Sequence, residues 1–274
     1  MRRIEITDEE LNSLTSAIMT RHGIDFTCYE PKSLKRRVTR ALSVFKLDSI
    51  HDLWLKILRE RDFVHPFVNE LSVGLTEMFR DPFFWQKLST LLPALVHEKG
   101  KIDVWHAGCS SGEEVYTLSI LLKELGLEGK ANALATDINT DALNQAKKGK
   151  YHQLKFKDYS YNYLKYKSNG SSLSQYYSDD GKYGVMQQEL IKHVIFDKSN
   201  LITDNVNQTF DIIFCRNVMI YFDIDAKKMV LEKLYNNLKP GGLLVIGFFD
   251  ALIPIIDKAR FQIFDLNNKI FKKI

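Results

Sequence analysis

The sequence predicts an α/β protein: an open, doubly wound, mostly parallel sheet, preceded by an all-α N-terminal domain and carrying a small inserted antiparallel β subdomain. Three observations carry this prediction. Apolar residues recur at helical spacing through the first eighty or so positions, and from Ile102 onward short apolar runs alternate with helical stretches. That rhythm breaks between Tyr151 and about Leu190, where eight of the twelve tyrosines fall. A chain of 274 residues, 45% hydrophobic and 12% aromatic, can bury a sizeable core, which excludes a disordered or fibrous protein. The expected division is a helical domain over 1–79 and an α/β domain over 80–274, with the insertion at about 151–192.

The first helix begins at a capping box, Thr7 followed three residues later by Glu10, and carries Leu11, Leu14 and Ile18 until Gly23. After Pro31 a second helix places Leu34, Val38, Leu42 and Phe45 on one face. Its other positions hold Lys32, Lys35, Arg36, Arg37, Arg40 and Lys46 with no acid among them. Such a face gives up the i,i+4 pairs that stabilise a helix cheaply, so a functional basic surface is as good a reading as a solvated one. A third helix (Ile50, Leu53, Trp54, Ile57, Leu58) and a fourth around Val64 to Leu71 complete this part.

The α/β part reads as strand Ile102 to His106, helix Glu113 to Leu125, strand Ala131 to Thr136 and helix Thr140 to Lys147. Later strands are expected at His193 to Phe196, Phe210 to Cys215 and Leu243 to Gly247, with a helix from Ala226 to Leu238. In the insertion, Asp180-Gly181 supplies a hairpin turn between Tyr176-Tyr177 and Tyr183.

The N-terminus lacks the apolar core of a secretory signal, and the apolar run Gly241 to Ile256 is broken by Asp250 and too short for a bilayer. A cytoplasmic protein without membrane insertion is expected. Cys28, Cys109 and Cys215 form neither a disulfide framework nor a zinc ribbon, so reduced thiols and no metal are expected. A net charge of +4 is too mild to imply nucleic acid.

Ligands of open α/β sheets bind beyond the carboxyl ends of the strands, at the switch point. There the first strand runs into His106-Ala107-Gly108-Cys109-Ser110-Ser111-Gly112-Glu113-Glu114, a turn of small residues whose glycines are spaced GxxxG. Two acids at its end would repel a pyrophosphate and suit a cationic or zwitterionic ligand. The second strand ends at Asp137, twenty-five residues past Gly112, where a carboxylate can take both hydroxyls of a ribose or, alternatively, cap the next helix. A ribose with a positively charged amino-acid end and no phosphate describes S-adenosylmethionine.

The strings LTEMFRDP, GCSSGEEVYTLSI, ATDIN and FDIIFCRNVMIYF, in this order, resemble the chemotaxis receptor glutamate methyltransferase family over nearly the whole chain. The resemblance implies a class I methyltransferase (Rossmann-like) fold and a reaction that moves methyl from S-adenosylmethionine to receptor glutamates, leaving S-adenosylhomocysteine. It implies cofactor contacts from Thr76, Arg80, Ala107, Gly108, Glu114, Asp137, Ile138, Asn200, Leu201, Arg216 and Asn217. Glu114 would meet the methionine end, Asp137 the ribose and Asn200-Leu201 the adenine. Arg80 and Tyr221 would act at the reacting centre, and Lys35, Arg36, Arg37 and Arg40 would meet a helical cytoplasmic segment of a membrane chemoreceptor. A monomer is expected, with no nucleic-acid partner.

The chain departs from the family pattern at Gly74, where asparagine is frequent, at Val115, where proline is frequent, and at Gly247-Phe248-Phe249-Asp250, where glycine-histidine-serine-glutamate is usual. A carboxylate nucleophile is already ionised near neutrality, its pKa being about 4.3, so no general base is required. Two other readings compete: a methyltransferase for a different substrate, and a cofactor-binding sensor or scaffold without turnover.

Overall fold

The computed structural model describes residues 5–71, 76–167, 171–250, 252 and 254–274. The chain divides into two compact units, one of Met1–Val73 with Met219–Met229, the other of Gly74–Val218 with Val230–Ile274.

The first unit is helical. Helix α1 (Asp8–His22) opens on the expected capping box, with Thr7 Oγ1 accepting the Glu10 N–H and the Glu10 carboxylate accepting the Thr7 N–H. Gly23, at φ 69°, ends it in the left-handed conformation that glycine adopts without strain. Helix α2 (Pro31–Val44) starts with proline where no intrahelical N–H is needed, capped by the Glu30 carboxylate. Helices α3 (Ile50–Arg59) and α4 (Val64–Leu71) follow, and Leu14, Ile18, Leu34, Val38, Leu42, Leu53, Ile57 and Phe67 form one core. The segment 219–229 joins this core through an isolated bridge between Tyr29 and Phe222.

The second unit begins with helix α5 (Pro82–Lys99), whose Phe84, Trp85, Leu88, Leu92 and Val96 are buried; the sequence reading proposed no helix there. Strand β1 (Ile102–Ala107), α6 (Glu113–Glu124), β2 (Ala131–Asp137) and α7 (Thr140–Lys148) follow at the expected places. The insertion comprises β3 (Lys150–His152), α8 (Gln153–Tyr166), β4 (Tyr177–Asp179) and β5 (Tyr183–Met186), a three-stranded antiparallel sheet in the order β3-β5-β4. Its hairpin turns at Asp180-Gly181 as expected, with Asp180 Oδ1 accepting the Tyr183 N–H at 2.6 Å. Helix α8, with Phe156, Tyr159, Tyr163 and Tyr166 buried on one face, is a helix where the reading foresaw only strands.

Strands β6 (Val194–Lys198), β7 (Phe210–Cys215), β8 (Leu238–Ile246), β9 (Phe261–Asp265) and β10 (Ile270–Lys273) complete the large sheet, with helix α9 (Ile224–Asn237) before β8. The order is β6-β2-β1-β7-β8-β10-β9, parallel except for β10, which runs antiparallel to both its neighbours. The order reverses between β1 and β7, which makes their carboxyl ends the switch point. Strand β7 is buried at every position, as a strand covered on both faces must be. No described helix is long and apolar enough to cross a membrane.

Candidate cofactor site at the carboxyl edge of the sheet

At its two glycines the loop after β1 passes too close to its neighbours for a side chain. A Cβ on Gly108 would lie 2.4 Å from Val218 Cγ2 and one on Gly112 2.7 Å from the Ala146 Cβ, and both glycines have positive φ. Ala107 is buried beneath them, and the Gly108 and Cys109 N–H groups both donate to Thr136 O.

Asp137, at the end of β2, accepts the Ser110 N–H on Oδ2 and the Asn139 N–H on Oδ1, each at 2.8 Å. Burial pushes its carboxyl above the ordinary aspartate range, and backbone N–H groups, that of Ile138 included, oppose this. An ionised carboxylate has about four acceptor directions, and with three backbone N–H groups on it one is left for a ligand hydroxyl. The carboxylate therefore organises the loop and keeps an acceptor for a ribose. The helix cap that competed with this reading belongs to Asn139, whose Oδ1 accepts from Asp141 and Ala142.

The two adjacent acids divide. Glu114 faces the strand edge, its Oε1 accepting from His106 Nδ1 at 2.9 Å and its Oε2 from Arg216 Nη1 at 3.2 Å. Burial raises its pKa, but His106 and Arg216 outweigh this and hold it below the ordinary glutamate range. Glu113 is fully buried and turned toward the insertion, bonded by Ser111, Lys155 and Tyr159. Only one of the pair is thus available to a cationic ligand.

Arg216 is a bridge between elements. Its Nη2 donates to Asp81 Oδ2 at 2.7 Å and to Arg80 O at 3.3 Å, while the guanidinium lies 4.6 Å from the Phe84 ring centroid. The family resemblance makes Arg216 a lining residue of the cleft; the structure makes it the tie that joins the Arg80 turn to Glu114. His106, stacked on Phe214, and the half-buried Asp81 complete this hydrogen-bonded chain, and the sequence reading gave neither a role.

Four non-glycine residues of this unit near the edge have positive φ: Phe79 (53°), Asp81 (58°), Ser110 (49°) and Asn217 (59°). Such backbone costs on the order of 1–2 kcal/mol per residue and persists only where the surroundings hold it. Each is held by a side chain or through its own. Thr117 Oγ1 accepts the Phe79 N–H, Asp137 that of Ser110 and Asp250 that of Asn217, while Asp81 is held by Arg216. Asp250, fully buried, also takes the Gly247 N–H at 2.6 Å. Although the 247–250 string departs from the family pattern, its acid braces the Arg216-Asn217 turn. Phe249 is 74% exposed beside it, which makes this rim apolar.

After β6, Ser199 donates its N–H to Asp137 O, which brings Asn200-Leu201 beside the ribose candidate. Asn200 Oδ1 turns back to the Ile202 N–H, and Lys233 Nζ donates to the carbonyls of Leu201, Ile202 and Asp204 at 2.6–2.8 Å. Thr76 and Arg80 are both half-buried just before α5. Gly74 lies outside the described residues. Cys109 and Cys215 are buried, and burial first of all raises both thiols, so neither is a ready nucleophile.

In the helical unit, Lys35 pairs with Asp8 at 2.8 Å and Arg40 with Glu70 at 2.8 Å, while Arg36 is exposed. Arg37 differs from the expectation. Only 4% exposed, it donates to Leu71 O at 2.6 Å and lies 3.7 Å from the centroid of the Tyr221 ring. Arg37 therefore does not belong to the exposed basic face with which the spacing grouped it; it holds Tyr221 in the helical unit.

These residues fit S-adenosylmethionine: a carboxylate with spare acceptor capacity, a loop of small residues, and one negative charge held by His106 and Arg216. Comparison with known proteins points the same way. Residues 74–269 match the family model "CheR methyltransferase, SAM binding domain" and residues 9–72 match "CheR methyltransferase, all-alpha domain". The chain is 32% identical to Cher3 of Pseudomonas putida over 97% of both chains. It is 32% identical to the chemotaxis protein methyltransferase of Salmonella typhimurium, over 90% of this chain and 85% of that one. With chemotaxis protein methyltransferase 1 of Vibrio cholerae the identity is 29% over 100% of both.

Proposed function

The chain belongs to the CheR methyltransferase family, and from that premise we propose that it methylates glutamate side-chain carboxylates of chemotaxis receptors, in the cytoplasm, forming methyl esters. The observation that carries the reading is the carboxyl-edge cluster of Glu114, Asp137 and the glycine loop, built for a cationic nucleoside ligand. Bound there, S-adenosylmethionine supplies a methyl group activated by its sulfonium.

The protein's own residues bind and orient. Asp137 is the ribose acceptor, with Ala107, Gly108 and Ile138 as the backbone around it, and Asn200-Leu201 flank the base. Glu114, kept ionised by His106 and Arg216, offsets the positive methionine end. Thr76, Arg80 and Asn217 line the same edge. A substrate glutamate needs no base, so Arg80 and Tyr221 serve as orienting groups; arginine in any case does not release its proton in a protein. Holding nucleophile and methyl donor in line contributes roughly 7–11 kcal/mol in favourable systems.

Lys35, Arg36 and Arg40 are the basic groups that would meet an acidic helical receptor segment, with Arg37 acting behind them through Tyr221. The test is incubation of the full-length protein with a purified receptor cytoplasmic segment and S-adenosylmethionine, followed by peptide mapping. Methyl groups on glutamates, absent when those glutamates are glutamine, are expected. Cofactor binding without any methylated receptor peptide would favour the sensor reading.

A further inference from the structure

Glu113 is a buried carboxylate that the cofactor chemistry leaves unused. It occupies the first turn of α6, yet its side chain turns away from the switch point and into the insertion. There Oε1 accepts from Tyr159 Oη at 2.8 Å and from Lys155 Nζ at 3.0 Å, both on α8, and Oε2 accepts from Ser111 Oγ at 2.7 Å. A second tie runs parallel to it, Tyr151 Oη donating to Ser111 O at 2.7 Å. The insertion thus grips Ser111 by its carbonyl through Tyr151 and by its hydroxyl through Glu113.

Ser111 sits between the two residues that shape the loop. Ser110, at φ 49°, presents its N–H to Asp137, and Gly112, at φ 88°, passes against Ala146 with no room for a side chain. A strained loop of this kind keeps its shape only while its neighbours hold it. Asp137 holds one side and the insertion holds the other. The polar cluster is also chemically consistent: burial and the adjoining charge keep Tyr159 protonated and donating, and Lys155 supplies the countercharge that a buried carboxylate requires.

We propose that Glu113, Lys155 and Tyr159 are positioning residues for cofactor binding, making the inserted subdomain a structural part of the cofactor site. The proposal rests on the reading of the 107–112 loop and Asp137 as that site. It follows that weakening the cluster lets Ser110 leave its left-handed conformation, and that the loop then binds cofactor less well although no group facing the ligand has changed.

The test titrates the full-length protein with S-adenosylhomocysteine by calorimetry, comparing Glu113→Gln, Tyr159→Phe, Lys155→Met and Lys155→Arg with Asp137→Ala. Hydrogen exchange of the Cys109–Gly112 amides is measured alongside. Tyr159→Phe and Lys155→Met are expected to weaken binding three- to tenfold and Glu113→Gln tenfold or more, with faster exchange at Ser110–Gly112, while Lys155→Arg restores affinity. Should Glu113→Gln misfold, the two α8 variants decide alone. Wild-type affinity and exchange in Tyr159→Phe and Lys155→Met, with binding lost in Asp137→Ala, would overturn the proposal and leave the site reading standing. Wild-type affinity in Asp137→Ala would overturn both.

Discussion

The carboxyl edge of the large sheet and helix α2 both gather charged residues, and they use charge in opposite ways. At the edge, Glu113, Glu114, Asp137, Arg216 and Asp250 are each held by at least two hydrogen bonds, and most reach more than one structural element. On α2, Lys35 and Arg40 make single ion pairs near solvent and Arg36 is exposed. Arg37 crosses the categories: it lies on the basic helix but is committed like a residue of the edge. A buried charge shapes the backbone around it, whereas an exposed one mainly supplies a field to an approaching partner.

If that distinction holds, Arg37 is the most sensitive position of α2. Arg37→Ala, which leaves Leu71 O without its donor and Tyr221 without its stack, should destabilise the protein by about 3 kcal/mol. Arg36→Ala should stay within about 0.5 kcal/mol. Urea denaturation of both variants makes the comparison, and equal losses would erase the contrast. At the edge, Asp137→Ala should weaken S-adenosylhomocysteine binding about a hundredfold, near 2.7 kcal/mol, because a carboxylate that both shapes the loop and accepts hydroxyls is lost.

A smaller effect is expected at the opposite end of the sheet. Lys239 Nζ donates to Asp103 at 2.7 Å and to Asp211 at 2.8 Å, tying β1, β7 and β8 together. Burial raises the Asp103 carboxyl, but bonds from Lys239 and Asn132 hold it below its ordinary value; Lys239, against its own burial, is raised by the two aspartates. The Asp103 contribution is therefore complete above the unfolded aspartate pKa of about 3.9 and lost as pH falls through the lower folded value. That of Lys239 is complete below about 10.4 and lost as pH rises through its higher folded value. Lys239→Met should cost about 1–2 kcal/mol at neutral pH and flatten both limbs of a stability–pH profile.

The smallest expected effect lies on the exposed face. Arg36→Glu should raise the KM for receptor on the order of three- to tenfold at low salt, with the difference shrinking at high salt and cofactor affinity unchanged. An unchanged KM at low salt would remove α2 from receptor recognition.

Most of the large sheet was legible in the sequence, since its strands are short apolar runs between turns and its loops hold the recognisable strings. Helix α8 was not, for a physical reason. Its core positions are Phe156, Tyr159, Tyr163 and Tyr166, aromatic residues that favour strands on propensity, and their helical spacing was hidden by Tyr161 on the outer face. The β9–β10 hairpin was missed because its alternating burial is irregular, with three consecutive exposed residues in β9. In the site, Glu114 and Asp137 stood out by spacing. The different fates of Glu113 and Glu114, and of Arg36 and Arg37, depend on which way a helix faces its neighbours, which adjacent residues of like charge do not reveal. His106 and Asp250 stood in quoted strings without a role and Lys233 stood in none; only their tertiary partners give them one.

Receptor carboxyl methylation is tested by transfer of labelled methyl from S-adenosylmethionine to membranes containing chemoreceptors, followed by treatment with mild alkali. Incorporation that alkali releases, and that Asp137→Ala and Arg80→Ala both abolish, is the predicted result. Label that resists alkali, or no label on receptor from a protein that binds the cofactor normally, would contradict it.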